Sequence, residues 1–162
     1  MNNVLNVEEL FSGRLFVVPD YQRGYAWEQR QWDEFIEDIE LLPDGKDHFT
    51  GTVVLHEEKD SPLPIDESGK KYAYVNIVDG QQLLTTIVLF LDSLRLEMLS
   101  HAKLSTLAAG IVSTYLSIAT SWRIFDNARS GRMGLIASGR HTETQRVVRT
   151  QLWKEIERKY RR

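Results

Sequence analysis

YAYVNIVDGQQLLTTIVLFLDSLRLEML, residues 72–99, is the stretch on which the fold turns. Its opening, Tyr72 to Val78, is rich in aromatic and β-branched side chains, the composition of a strand. Asp79-Gly80 interrupts it. Beyond Gln81-Gln82 the apolar positions Leu84, Ile87, Val88, Leu91, Leu94, Leu96 and Met98 predict a strongly apolar helix, expected at the centre of the core. A strand that passes through a glycine turn into a helix needing burial lays helix against sheet.

Working outward, Phe49-Thr50-Gly51-Thr52-Val53-Val54-Leu55 is a second β-rich run, separated from the first by EEKDSPLPIDESGKK, which is polar and broken by two prolines and a glycine. The pair predicts a hairpin with a long exposed connection. Nearer the N-terminus, Asn6 followed by Val7-Glu8-Glu9-Leu10-Phe11 places a capping residue before two acids, the opening of a short helix. Leu15-Phe16-Val17-Val18 predicts a buried strand that Pro19 ends. From Glu28 the positions Trp32, Phe35, Ile36, Ile39 and Leu42 recur at helical spacing until Pro43-Asp44-Gly45. After residue 99, Leu104, Leu107, Ala108, Ile111, Val112, Tyr115 and Leu116 predict a further amphipathic helix. These elements read as an α+β domain over residues 1–118. Residues 119–141, rich in Gly, Ser and Arg, and a last helical pattern at Val148, Leu152 and Ile156 form a basic, partly helical C-terminal part over 119–162. Its abrupt Arg-rich, Lys-poor character also suits a truncated or rearranged product.

The bulk numbers set bounds. With 162 residues, 42% of them hydrophobic, the chain can build one core of ordinary size. It contains no cysteine, which excludes disulfides and thiolate metal sites and fits a reducing compartment. Neither a basic-then-apolar leader nor a long uncharged apolar run is present, so no membrane association is expected and cytoplasm is the expected location. The net charge of -3 conceals an asymmetry: residues 119–162 hold nine Arg and two Lys against four acids, a surplus of seven, leaving the remainder ten charges negative. Such a tail suits phosphate contacts, as in DNA binding, or equally a solvated helix face.

Two segments could carry chemistry. In Pro19-Asp20-Tyr21-Gln22-Arg23-Gly24-Tyr25-Ala26-Trp27, the aromatic rings offer stacking faces for a base, Gln22 both donates and accepts, and Arg23 suits a phosphate or a guanine edge. The alternative is structural: Tyr25 and Trp27 close over the core while Tyr21 and Arg23 cover the surface. In Ile77-Val78-Asp79-Gly80-Gln81-Gln82-Leu83-Leu84-Thr85-Thr86, the unpaired N–H groups of a helix's first turn can bind an anion, Gly80 would admit a phosphate closely, and Asp79 could cap the helix or hold a hydrated Mg2+. Here the alternative is a turn and a cap and nothing more. His48, His56, His101 and His141 are scattered, without the spacing of a metal nuclease, and no protein metal site is expected.

PDYQRGYAW before an amphipathic helix, FTGTVVL as a strand, and IVDGQQ followed by LLTT leading into an apolar helix resemble, in that order, the N-terminal domain of GmrSD-type modification-dependent restriction systems, over roughly residues 5–118. The resemblance implies a ParB/sulfiredoxin-like fold, a small mixed sheet with packed helices, and a nucleotide-dependent domain that senses modified DNA for phage defence. It also implies coupling to an HNH-type nuclease domain or subunit, and it is compatible with a homo-oligomer. Carried over, the family's DGQQR segment, associated with NTP hydrolysis, gives Asp79, Gln81 and Gln82 as catalytic positions. Tyr21, Gln22, Arg23, Gly80 and Thr85 become nucleotide- or phosphate-binding positions, with NTP and Mg2+ as the cofactors. Tyr21, Gln22, Tyr25 and Trp27 become DNA-sensing positions. One residue departs: where the family motif has Arg, this chain has Leu83, which cannot neutralise charge developing on a phosphate. Impaired hydrolysis is therefore expected, and a non-catalytic DNA- or partner-binding module is the alternative.

Overall fold

A computed structural model describes residues 4–19, 21–57, 69, 71–118, 121–122, 124–126 and 133–134. The chain enters through α1 (Val7–Phe11), closed at its start by a capping box in which Asn6 Oδ1 accepts from Glu9 N–H at 2.8 Å and Glu9 Oε2 accepts from Asn6 N–H at 2.9 Å. Arg14 Nη1 then donates to the Glu9 and Leu10 carbonyls at the other end of this helix. In β1 (Arg14–Val18) the last four residues are all buried, without alternation, because both faces of this strand are covered.

After the Tyr21–Trp27 loop comes α2 (Gln29–Glu40), which buries Trp32, Phe35 and Ile36 and leaves Arg30 and Glu34 paired in solvent. The predicted hairpin is present: β2 (Val54–Glu57) runs antiparallel to β3 (Ala73–Asp79). Its first strand starts later than the Phe49–Leu55 run suggested, since Gly51 to Val53 lie across the turn that follows β3 instead of joining the ladder. Most of the connection between the strands lies outside the described residues. Then α3 (Gln81–Leu99) buries ten of its residues, among them Leu83, Leu84, Ile87, Val88 and Leu89.

The expected helix over 104–116 is divided. A 3-10 turn (Ala102–Leu104) leads into α4 (Ser105–Ile111), and a π turn (Val112–Leu116) follows. The π turn carries Leu116 into the core and Tyr115 onto Phe11, with ring centroids 6.0 Å apart. The chain continues as β4 (Ser117–Ile118), β5 (Ser121–Trp122), β6 (Ile124–Asp126) and β7 (Met133–Gly134). The helical pattern expected at Val148, Leu152 and Ile156 lies outside the described residues.

The sheet is mixed, in the order β2-β3-β1-β6-β7. The central strand β1 is parallel to both neighbours, with Phe16 opposite Val75 on one side and Ile124 on the other. Helices pack against it around a cluster that includes Phe11, Phe16, Trp32, Ile36, Ile77 and Leu84. Burying side chains of this kind contributes about 1.5–3 kcal/mol each. Edge-on ring pairs, Phe11 with Phe16 at 5.1 Å and Phe35 with Phe90 at 5.8 Å, fix α1 and α2 to their neighbours. The result is the α+β arrangement the sequence pattern predicts. Among the described residues, no helix is long and apolar enough to cross a membrane.

Candidate functional site

The junction where β3 becomes α3 gathers three segments that are far apart in sequence. Gly80 makes the turn possible. Its φ of 85° lies in the left-handed region, and a Cβ there would sit 2.9 Å from the Thr52 carbonyl oxygen and 3.0 Å from Val53 Cα. The FTGTVV segment is thereby pressed onto the DGQQ turn. Its Gly51, with φ 141°, approaches the same junction, where an added Cβ would meet Leu83 Cδ2 at 3.0 Å. Leu83 is consequently a core residue, 9% exposed.

The Tyr21–Trp27 loop is bound to the junction by two glutamines. Gln22 Nε2 donates to the Ile77 and Val78 carbonyls at the end of β3, at 3.2 and 2.8 Å. Gln82 reaches back from α3: its Oε1 accepts from Ala26 N–H at 2.8 Å and its Nε2 donates to the Gly24 carbonyl at 3.2 Å. Both ends of the Gln82 amide thus hold loop backbone. Between those anchor points Tyr25 turns inward. Its hydroxyl receives a hydrogen bond from Trp32 Nε1 at 2.6 Å and pairs with Thr86 Oγ1 at 2.7 Å. Burial pushes the Tyr25 phenol above its usual pKa, and the hydrogen bonds to Thr86 and Trp32 oppose that shift only in part.

The remaining positions fall into two groups. Tyr21 is 72% exposed, Arg23 is exposed without an ion pair among the described residues, and Asp79 is exposed with Oδ1 accepting from Gly80 N–H at 2.7 Å. That bond occupies the carboxylate expected to cap α3. Among the described residues no side chain caps the helix at Gly80, and the N–H groups of a helix's first turn have no partner within the helix itself. Gln81 and Thr85 form the second group, one helical turn apart on α3 and only 8% and 2% exposed. Gln81 Oε1 and Thr85 Oγ1 are buried with no hydrogen-bond partner among the described residues. Leaving such groups unpaired typically costs about 1–3 kcal/mol apiece. Trp27 is half-buried, tilted against Phe35 with centroids 6.4 Å apart.

The structure therefore brings Tyr21, Gln22, Arg23, Tyr25, Asp79, Gly80, Gln81, Gln82 and Thr85 to one end of the sheet, with Trp27 closing over α2. Gln22 Nε2, the Tyr25 hydroxyl and both polar atoms of the Gln82 side chain are engaged within the protein. The sequence motifs do not by themselves assign Thr86, Trp32 and the Gly51–Val53 segment a part in this junction. Thr86 had a signal, since it stands four residues after Gln82 and so on the same side of the helix. Trp32 reads as core, with nothing to mark its indole N–H as a donor into the loop.

An α+β domain whose strand-to-helix turn is packed under a glycine-bearing strand segment and held to an aromatic loop by two glutamines defines the class. The chain matches the family described as GmrSD restriction endonuclease, N-terminal domain, over residues 7–161, and it belongs to that family. It is thus a domain of a restriction system. The match runs past Ile118, so nearly all of the basic C-terminal segment lies inside the matched span. A search of curated proteins gave no match.

Proposed function

We propose that this domain binds a nucleoside triphosphate with Mg2+ at the β3–α3 junction and senses modified DNA through the Tyr21–Trp27 loop, as the sensing half of a phage-defence restriction system. Hydrolysis is impaired by Leu83. The observation that carries the reading is the convergence of the three motifs at one uncapped helix N-terminus. Such a terminus favours an anion through its free N–H groups and its dipole. The orphaned Gln81 Oε1 and Thr85 Oγ1 add an acceptor and a hydroxyl for a bound molecule to satisfy. No three His, Asp or Glu side chains among the described residues gather to hold a metal. Mg2+ would instead come with the phosphates, as it commonly does, with Asp79 the junction's own carboxylate. DNA cleavage would belong to an HNH-type nuclease domain or subunit, in a cytoplasmic assembly.

Calorimetric titration with ATP and GTP, with and without Mg2+, tests this: saturable binding that strengthens with Mg2+ is expected. Absence of any response at millimolar nucleotide would sink the reading. Position 83 tests the hydrolytic part. If the rest of the site is whole, Leu83→Arg raises turnover on the order of 10²-fold, the usual worth of a group that stabilises transition-state charge.

The burial of Leu83 beside Gly51 favours a second reading, in which the domain is a non-catalytic DNA- or partner-binding module. On that reading Leu83→Arg produces no turnover. DNA affinity then falls steeply with salt and drops when Arg158, Arg161 and Arg162 are changed to Gln.

A further inference from the structure

Tyr25 sits inside a directional chain of hydrogen bonds that leaves it no freedom. Thr86 Oγ1 donates to the Gln82 carbonyl at 2.9 Å, so its single proton is used and the Tyr25 hydroxyl must be the donor in the 2.7 Å contact between them. Trp32 Nε1 can only donate, and it does so to the same Tyr25 oxygen. The order is Trp32 to Tyr25 to Thr86 to the Gln82 carbonyl, running from α2 through the loop into α3. The Gln82 side chain closes the chain into a ring, since it grips the loop at Gly24 and Ala26, on both sides of Tyr25. Every polar atom of the ring is satisfied, and Trp32 and Thr86 are 2% and 1% exposed. The ring is buried at Trp32 and Thr86 and half-buried at Tyr25 and Gln82, and a network with all members paired favours one geometry. Arg23 is the residue just before the Gly24 anchor, and its exposed side chain is carried on this clamp.

We infer that Tyr25, Thr86 and Trp32 are positioning residues: through the ring closed by Gln82 they hold the loop so that Arg23 faces the uncapped N-terminus of α3 and meets the anion bound there. The inference rests on the nucleotide reading above. Arg23 does the contacting and the ring acts only through it. Tyr25 is accordingly a strut whose ring and hydroxyl are turned into the protein.

The experiment separates the clamp from the ligand. Amide hydrogen exchange on the full chain compares wild type with Tyr25→Phe and with Thr86→Val, the latter breaking the ring at α3 while sparing the Trp32–Tyr25 bond. Exchange at Ala26 and its loop neighbours should speed up by about tenfold or more while the middle of α3 is unchanged. Thr86→Ser, which restores the hydroxyl, should return to the wild-type rate. Loop exchange unaltered in both variants would overturn the clamp.

Titration with Mg2+-bound GTP and ATP then supplies a readout that a merely structural role would not move. Tyr25→Phe should weaken affinity by about fivefold in the wild-type background and by no further amount in an Arg23→Ala background, the signature of two residues acting as one. Equal losses in both backgrounds would overturn the route through Arg23 while leaving nucleotide binding intact. A wild-type chain that binds neither nucleotide would overturn the site itself and the positioning role with it, whatever the exchange rates.

Discussion

Gly80 meets two demands at once, a positive φ and a backbone of another segment within 3 Å of where a side chain would begin. Relaxing one would not relieve the other. Gly80→Ala is therefore expected to cost about 2 kcal/mol or more, read from the midpoint of urea unfolding, because left-handed backbone alone costs an L-residue about 1–3 kcal/mol. A midpoint unchanged within error would mean that Thr52 and Val53 can move aside. Leu83 presents the opposite case, a side chain filling the space that Gly51 leaves open. Leu83→Arg must either bury a guanidinium or thread it out past Gly51, and a loss of about 1–3 kcal/mol is expected even where turnover rises. Thr85 makes a third case. Its hydroxyl is buried and unpaired among the described residues, so Thr85→Val should leave the free protein unchanged or stabilise it by up to about 1 kcal/mol. If the hydroxyl serves a bound nucleotide, the same change weakens that binding. A clear loss of stability in the ligand-free variant would reveal a partner for the hydroxyl. The glycine turn between strand and helix was legible in the sequence. Its packing role was not, because Thr52 and Val53 reach it only through the tertiary fold.

At the scale of elements, the loop and its two helices form a unit whose weak point is alkaline pH. Burial raises the pKa of Tyr25 above its ordinary value of 10.0. The folded state therefore holds the phenolic proton more tightly than the unfolded chain does. The stability this contributes is complete below about pH 10 and is lost as pH rises through the folded value. Tyr115 behaves alike, raised by burial and then by the nearby Glu8 carboxylate. Unfolding midpoints at about pH 8 and about pH 11 should show wild type losing more stability between the two than Tyr25→Phe, which keeps only the Tyr115 share. At about pH 8 the variant itself should be weaker by about 1–3 kcal/mol, since the buried Trp32 N–H is left without an acceptor. Equal pH losses in the two proteins would remove Tyr25 from the titration. The elements were legible to the degree that their signals are local. The capping residue Asn6 and the two acids after it gave α1, the apolar spacing of Trp32, Phe35 and Ile36 gave α2, and the apolar run after Gln82 gave α3. The late start of β2 and the π turn at Val112–Leu116 were not legible, because contacts with Gly80 and with Phe11 set them.

At the scale of the whole molecule, the parallel pairing of β1 with β3 and β6 joins segments about sixty and one hundred residues apart, beyond the reach of periodicity. A run of four buried residues in β1 carried the only hint, for a strand covered on both faces is commonly central. The pairing also gives the described part of the segment after Ile118 a place in the sheet. Composition marks that segment as a basic appendage, yet β6 hydrogen-bonds directly to β1, the central strand. The family match likewise continues to residue 161. A chain ending at Ile118 would lose β6 and β7 and turn the buried Phe16–Val18 backbone into an open edge, with unpaired N–H and C=O groups bordered by apolar side chains. Such a chain is expected to unfold over a broader urea range with a smaller m value than the full chain, and to associate in gel filtration. Charge neutralisation of Arg158, Arg161 and Arg162 removes basic character while keeping the chain at full length, β6 and β7 included, and full cooperativity is expected. If the shortened chain instead unfolds cooperatively at the wild-type midpoint, β6 adds nothing to the fold, and the basic segment can be assigned to binding alone.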